Sequence, residues 1–163
     1  MKSIITYINE KLVLNKNILS KNTKTKYNYH PETKEELQDI IIKLIDEQSM
    51  EDVINLNSID TSEIIDMSNL FHKFEGILKI DVSKWNTSNV TDMHYMFKGC
   101  INLEKIVGIE NWDVSNVTDM KGMFYYCKSF NQDISNWNVS NVKDISSIFY
   151  NCPIEEKYKP KFN

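Results

Sequence analysis

The 163-residue chain has no alanine and no arginine, and all 19 of its basic residues are lysines. Heavy use of Ile, Lys and Asn in their place points to an AT-rich coding genome. The missing arginine also matters chemically. Without it the protein lacks the planar, bidentate fork on which most specific base and phosphate recognition depends. With a formal net charge of -4, this argues against nucleic acid as the partner. Only four glycines and three prolines are present, so the chain is neither loop-dominated nor of low complexity. No apolar run approaches the length of about 18 residues that a membrane-spanning helix requires. The opening Met1-Lys2-Ser3-Ile4-Ile5-Thr6-Tyr7-Ile8 is interrupted by Asn9-Glu10-Lys11, too early for the apolar core of a signal peptide. A cytoplasmic or virion-associated location is therefore expected over the cell surface. What is present, 41% hydrophobic and 26% charged residues, suits about one soluble globular domain.

Internal repetition dominates the second half. Trp85-Asn86-Thr87-Ser88-Asn89-Val90-Thr91-Asp92-Met93 superposes on Trp112-Asp113-Val114-Ser115-Asn116-Val117-Thr118-Asp119-Met120 and on Trp137-Asn138-Val139-Ser140-Asn141-Val142-Lys143-Asp144-Ile145. A degenerate copy begins at Ile59, so starts at 59, 85, 112 and 137 give steps of 26, 27 and 25. Each copy continues with an apolar pair, Leu70-Phe71, Met96-Phe97, Met123-Phe124 or Ile148-Phe149, and then with Phe74, Cys100, Cys127 or Cys152. Val90, Met93, Met96, Phe97 and Cys100 fit one stripe of a short helix, with Ser88 or Asn89 as its N-cap and Asp92 in its first turn. Between helices, Leu78 to Ser83, Ile106 to Glu110 and Phe130 to Ser135 read as short half-buried strands. Helix alternating with strand at this period predicts an α/β, leucine-rich-repeat-like solenoid of about four strand-helix repeats with parallel strands.

The strings from Trp112 to Met120, then Met123-Phe124, Cys127 and Phe130-Asn131-Gln132-Asp133-Ile134-Ser135-Asn136-Trp137, resemble the signature repeat of BspA-like leucine-rich-repeat proteins. That resemblance implies a binding scaffold. Many members of the family are described as surface proteins of low-GC bacteria, and related copies occur in phage and mobile-element genes. The first copy departs from the pattern, with Ile59 for Trp and Phe74 for Cys, as suits a terminal repeat.

Ahead of the repeats, Leu37, Ile40, Ile41, Leu44 and Ile45 form one apolar helix face, opened by a capping box of Thr33 and Glu36. This helix is expected to cap the solenoid. The organisation is thus 1–29, an amphipathic segment (Ser3 to Leu14) and a polar linker (Asn15 to Asn28); 30–56, the capping helix; 57–152, the solenoid; and 153–163, a C-terminal cap or tail.

Residues that invite a chemical reading are better explained as scaffold. Cys100, Cys127 and Cys152 stand 27 and 25 residues apart at one repeat position, whereas metal knuckles place cysteines two to four apart. Phe74 in the same slot marks it as apolar. The aligned Asp66, Asp92, Asp119 and Asp144 suggest a calcium ladder, but the glycine-rich turns of such sites are missing, and placement at helix N-termini accounts for them. Trp85, Trp112 and Trp137 read as buried anchors and not as an exposed stacking ladder. His30, His72 and His94 fall in unrelated contexts, and neither a phosphate loop nor a nucleophile elbow occurs. No catalytic residue, cofactor or metal is expected.

What remains is the outer side of the strands: Lys79, Asp81, Ser83, Glu110, Asn131, Asp133 and Ser135. The sequence therefore predicts a non-enzymatic module that binds a protein partner through this face. The alternatives are a phage or mobile-element structural protein docked by its N-terminal helix, and a small inhibitor of a host enzyme.

Overall fold

A computed structural model describes residues 27–162. The amphipathic segment from Ser3 to Leu14 and most of the linker after it lie outside the described residues. The first regular element is helix α1, Lys34–Glu47. Its start follows the sequence signals: the Thr33 hydroxyl accepts from the Glu36 N–H, 3.2 Å, and the Glu36 carboxylate accepts from the Glu32 N–H, 2.9 Å. These contacts satisfy donors that a helix N-terminus leaves bare. Leu37, Ile40, Ile41 and Leu44 are buried. At about 2 kcal/mol for each such side chain, this face fixes the helix onto the rest of the chain.

Three short strands follow, β1 (Ile54–Asn55), β2 (Lys79–Asp81) and β3 (Lys105–Val107), all parallel in the order β1-β2-β3. Ile54, Ile80 and Ile106 share one register and point into the core. The segment expected as a further strand, Phe130 to Ser135, forms none. Instead the Gln132 side chain lies along the open edge of β3, its Oε1 accepting from the Ile106 N–H, 2.6 Å, and its Nε2 donating to the Ile106 carbonyl, 3.3 Å. Gln48 does the same on the outer edge of β1, accepting from the Asn55 N–H, 2.8 Å, and donating to its carbonyl, 3.0 Å. A primary amide carries the same donor and acceptor as a peptide unit, so each glutamine substitutes for a neighbouring strand.

The class is mixed α/β, but the expected strand-helix solenoid is not formed. Among the described residues α1 is the one α-helix, and the sheet is small and open. Each segment read as a helix is a run of turns. The N–H groups of Met96, Lys98 and Cys100 close turns onto Met93, Tyr95 and Phe97, whereas those of Met93, Tyr95, Phe97 and Gly99 bond to Asp119, Lys121, Met123 and Tyr125 in the adjoining copy. An α-helix would keep all these donors within itself. Left-handed residues four apart, Asn69 and Lys73, Tyr95 and Gly99, Gly122 and Tyr126, Ser147 and Asn151, reset the chain in each copy. The apolar spacing of three from Val90 to Met93 to Met96 suits such turns as well as it suits a helix.

The aspartates change role accordingly. Asp66, Asp92, Asp119 and Asp144 pair in parallel from copy to copy. Each carboxylate accepts from the N–H two residues on, at Ser68, His94, Lys121 and Ser146, over 2.7 to 2.9 Å. They hold Asx turns, and there is no helix dipole for them to face. Asn89 caps nothing either; its amide donates to the Ser62 carbonyl one copy back, 2.7 Å.

The core is aromatic. Trp85, Trp112 and Trp137 are buried and stack at 6.3 Å, and Phe71, Phe97, Phe124 and Phe149 stack alongside at 5.2 to 5.7 Å. The indole N–H of Trp85 donates to Leu56 and that of Trp137 to Ile109, both 3.0 Å, while that of Trp112 has no partner among the described residues. The step from 85 to 112 is the longest, 27 residues, and its extra residue falls at left-handed Gly108, just before Ile109. Trp137→Phe is expected to destabilise the protein by about 1–2 kcal/mol more than Trp112→Phe, because only the former loses a buried hydrogen bond. Urea unfolding of the two variants measures the difference.

The C-terminal segment packs back on the core: Ile154 is buried, and the Ile134 N–H donates to the Tyr158 carbonyl, 3.0 Å. Among the described residues no helix is long and apolar enough to cross a membrane.

Candidate functional site

The strand register builds the outer face. Because Ile80 and Ile106 point inward, Lys79 and Asp81 on β2 and Lys105 and Val107 on β3 point outward, with Lys79 opposite Lys105 and Asp81 opposite Val107. Asn131 and Asp133, flanking Gln132, continue the two columns and are exposed. Lys105 was missed in the sequence because its strand was placed one residue too late; aligning Ile106 on Ile80 finds it. The face carries both signs of charge, with an apolar gap at Val107 between the two carboxylates.

Several of its side chains are tied to the scaffold. Asp81 accepts from the Ser83 N–H, 3.0 Å, and Ser83 Oγ accepts from the Asn57 amide, 3.3 Å. Burial raises the Asp81 pKa, but hydrogen bonds from Asn57 and Ser83 outweigh it and hold the carboxyl below its ordinary range. Asp133 is also held low, chiefly by the Ser135 hydroxyl, 2.6 Å, and the Ser135 N–H, 2.9 Å. Both carboxylates are charged at neutral pH. Asn131 is committed to the C-terminal segment, exchanging hydrogen bonds with Glu155 over 2.9 and 3.2 Å. Glu110 stands apart in a 3₁₀ turn, Ile109–Asn111, displaced from the strand by the extra residue at Gly108.

Beside Lys79 the face runs into a groove of about 510 Å³ between α1 and the sheet. Ile45, Ile54, Phe74, Ile77 and Leu78 give it an apolar lining, and Glu51, Asp52 and Lys79 supply charge. Leu78 is 50% exposed there. The sequence signal was the apolar pair Ile77-Leu78 after Gly76, in the copy where Phe74 replaces Cys. A concave apolar site with a few charged groups is the usual form of a binding pocket.

A second surface, formed by the turns, gathers Tyr95, Tyr125, Tyr126 and Tyr150. The Tyr125 and Tyr150 rings stack at 5.0 Å, and Lys98 Nζ lies 4.4 Å from the Tyr95 ring and 5.6 Å from that of Tyr125. Tyr150 is 51% exposed. Tyr125 and Tyr150 share one repeat position, which Lys98 fills in the preceding copy, but Tyr95 and Tyr126 fall at others, which hid the cluster from the sequence.

The thiols offer little chemistry. Cys100 and Cys127 are buried, with each Sγ donating to a backbone carbonyl, Phe71 and Phe97 respectively, at 2.9 Å. Burial pushes the Cys100 thiol up to about 12 and Cys152 to about 11, so the thiolate that attack or metal binding needs is scarce. His72 is held below its ordinary pKa, first by desolvation and then by Lys98 and Lys73. His30 approaches Asp60 at 3.3 Å, and His94 Nδ1 lies 2.7 Å from Asp92 Oδ1.

A family model described as "Mycoplasma protein of unknown function, DUF285" matches residues 42–160. No curated protein matches the chain, and no solved structure does.

Proposed function

We propose that this chain, which belongs to the family described as Mycoplasma protein of unknown function, DUF285, is a non-enzymatic module that binds a protein partner through its outer strand face. The observation that carries this reading is the continuity of the charged columns Lys79–Lys105 and Asp81–Asp133 with the apolar groove at Leu78. An apolar anchor site rimmed by fixed charges of both signs is the form that protein interfaces take. The resemblance of the repeat strings to BspA-like proteins, whose scaffolds serve binding, supports the same reading. So do the buried thiols of Cys100 and Cys127. With both sheet edges occupied by glutamine amides, recognition falls to side chains and not to strand addition.

The test uses the partner captured from the producing organism with the wild-type chain as bait. Combined replacement of Asp81, Glu110 and Asp133 by Ala is expected to weaken its binding by about a hundredfold or more, with the native circular dichroism spectrum retained. Undiminished affinity in the triple variant sinks the strand-face assignment. A second reading is favoured by the tyrosine-lysine cluster, whose chemistry suits an acidic protein surface. Loss of binding on Tyr125→Ala and Tyr150→Ala together, with the triple variant binding normally, would place the interface there.

A further inference from the structure

We propose that Asp92, His94 and Asp119 form a site for one divalent transition-metal ion of the zinc, cobalt or nickel type. Asp92 and Asp119 are bridge partners in adjoining copies, and one ligand atom from each of the three side chains lies within 4.8 Å of the others. Metal-ligand bonds of about 2.0–2.2 Å in tetrahedral geometry place ligand atoms roughly 3.3–3.6 Å apart, so side-chain adjustments summing to about 1–1.5 Å close the set.

Four features prepare these groups for a cation. The carboxylates are pre-positioned: Oδ1 of Asp92 accepts from the His94 N–H and Oδ1 of Asp119 from the Lys121 N–H, which leaves each Oδ2 available. The imidazole is held from both sides. Its Nδ1 faces Asp92 at 2.7 Å, and its Nε2 is 3.2 Å from the Asn69 side-chain amide. Turned over, that amide presents its oxygen to Nε2–H and frees the Nδ1 lone pair for the metal, the usual way a ligating histidine is oriented by its neighbours.

Charge supplies the third feature. Of the four stacked aspartates, Asp66 has Lys34 Nζ at 2.8 Å. Asp144 is eased by hydrogen bonds from Ser146 and, as the smallest contribution, by Lys121. Between these ends, Asp92 and Asp119 lie in adjoining copies with the His94 imidazole beside Asp92, so one cation there would be shared by both carboxylates. Lys121 is the competing charge.

The fourth feature is uniqueness. The residues equivalent to His94 are Ser68, Lys121 and Ser146, so the triad occurs once. One imidazole nitrogen with two carboxylate oxygens selects borderline metals over calcium, which takes oxygen ligands. Since all three side chains are partly exposed, water completes the coordination.

Untagged full-length chain, kept reduced, is titrated with zinc chloride by calorimetry and with cobalt chloride by visible absorption. Saturation at one equivalent is expected, with at least tenfold weaker binding in His94→Ala and in Asp119→Asn, and unchanged binding in His30→Ala. Circular dichroism checks that each variant is folded; should His94→Ala unfold, His94→Gln and Asp119→Asn carry the test. Failure to saturate, equal losses in His30→Ala, or calcium binding as tightly as zinc overturns the proposal. None of these outcomes touches the strand-face reading, which shares no residue with this site.

Discussion

Gly108→Ala is expected to lower the unfolding midpoint by about 10 °C, a heavy cost for a single methyl group. Gly108 has φ +90°, where a side chain is strained, and a Cβ placed there would lie 2.3 Å from Ser83 Cα and 2.8 Å from its Cβ. The obstacle is largely main chain of the adjoining copy, which cannot swing aside. Left-handed strain of about 1–2 kcal/mol adds to overpacking of about 1–3 kcal/mol, and a chain of this size loses about 2–4 °C per kcal/mol. Gly76→Ala is the matched control. Its added Cβ meets nothing within 4 Å, and its φ lies outside the left-handed range, so its midpoint is expected to stay within about 2 °C of wild type. Thermal melts of the two variants decide the matter. Equal behaviour would show that the close approach of Gly108 to Ser83 contributes nothing.

Phe124→Ala is expected to cost about 3–5 kcal/mol, a large part of the total stability of about 5–15 kcal/mol that a protein of this kind possesses. Phe124 is fully buried and sits at the centre of the aromatic core, 5.5 Å from Phe97, 4.3 Å from Phe130 and 5.7 Å from Phe149. Its neighbours are themselves stacked across copies and cannot collapse into the gap without breaking that stacking. Phe149, at the end of the row and only partly buried, is expected to lose about half as much on the same replacement. In urea the two variants should differ in midpoint at a shared slope.

The contrast between these positions shows what the sequence could reveal. The buried faces were legible because burial selects residue type: Trp85, Trp112 and Trp137 recur in register, and the stripe on α1 has helical spacing over three turns and a recognisable cap. The backbone of the copies was not. Three-residue apolar spacing fits a turn or a helix, and what separates them here is a pair of left-handed residues, among them Tyr95, Tyr126 and Lys73, whose types give no warning of positive φ. The outer strand face was legible in outline from alternation, yet Lys105 was lost to a one-residue error in a strand of three residues. The groove at Leu78 depends on how α1 packs beside the first copy, and the tyrosine cluster on which copies lie side by side. The triad of Asp92, His94 and Asp119 likewise spans two copies.

The two glutamines have a consequence for encounters between molecules. A short parallel sheet whose outer strands kept bare N–H and C=O groups would be a template on which a stray peptide, or another copy of the same chain, could nucleate a further strand. At Asn55 and at Ile106 that template is already filled by a side chain on a flexible stem, in place of a rigid strand with an exposed edge of its own. The sheet is therefore finite by composition: growth stops where an amide can mimic a peptide group without propagating the chain.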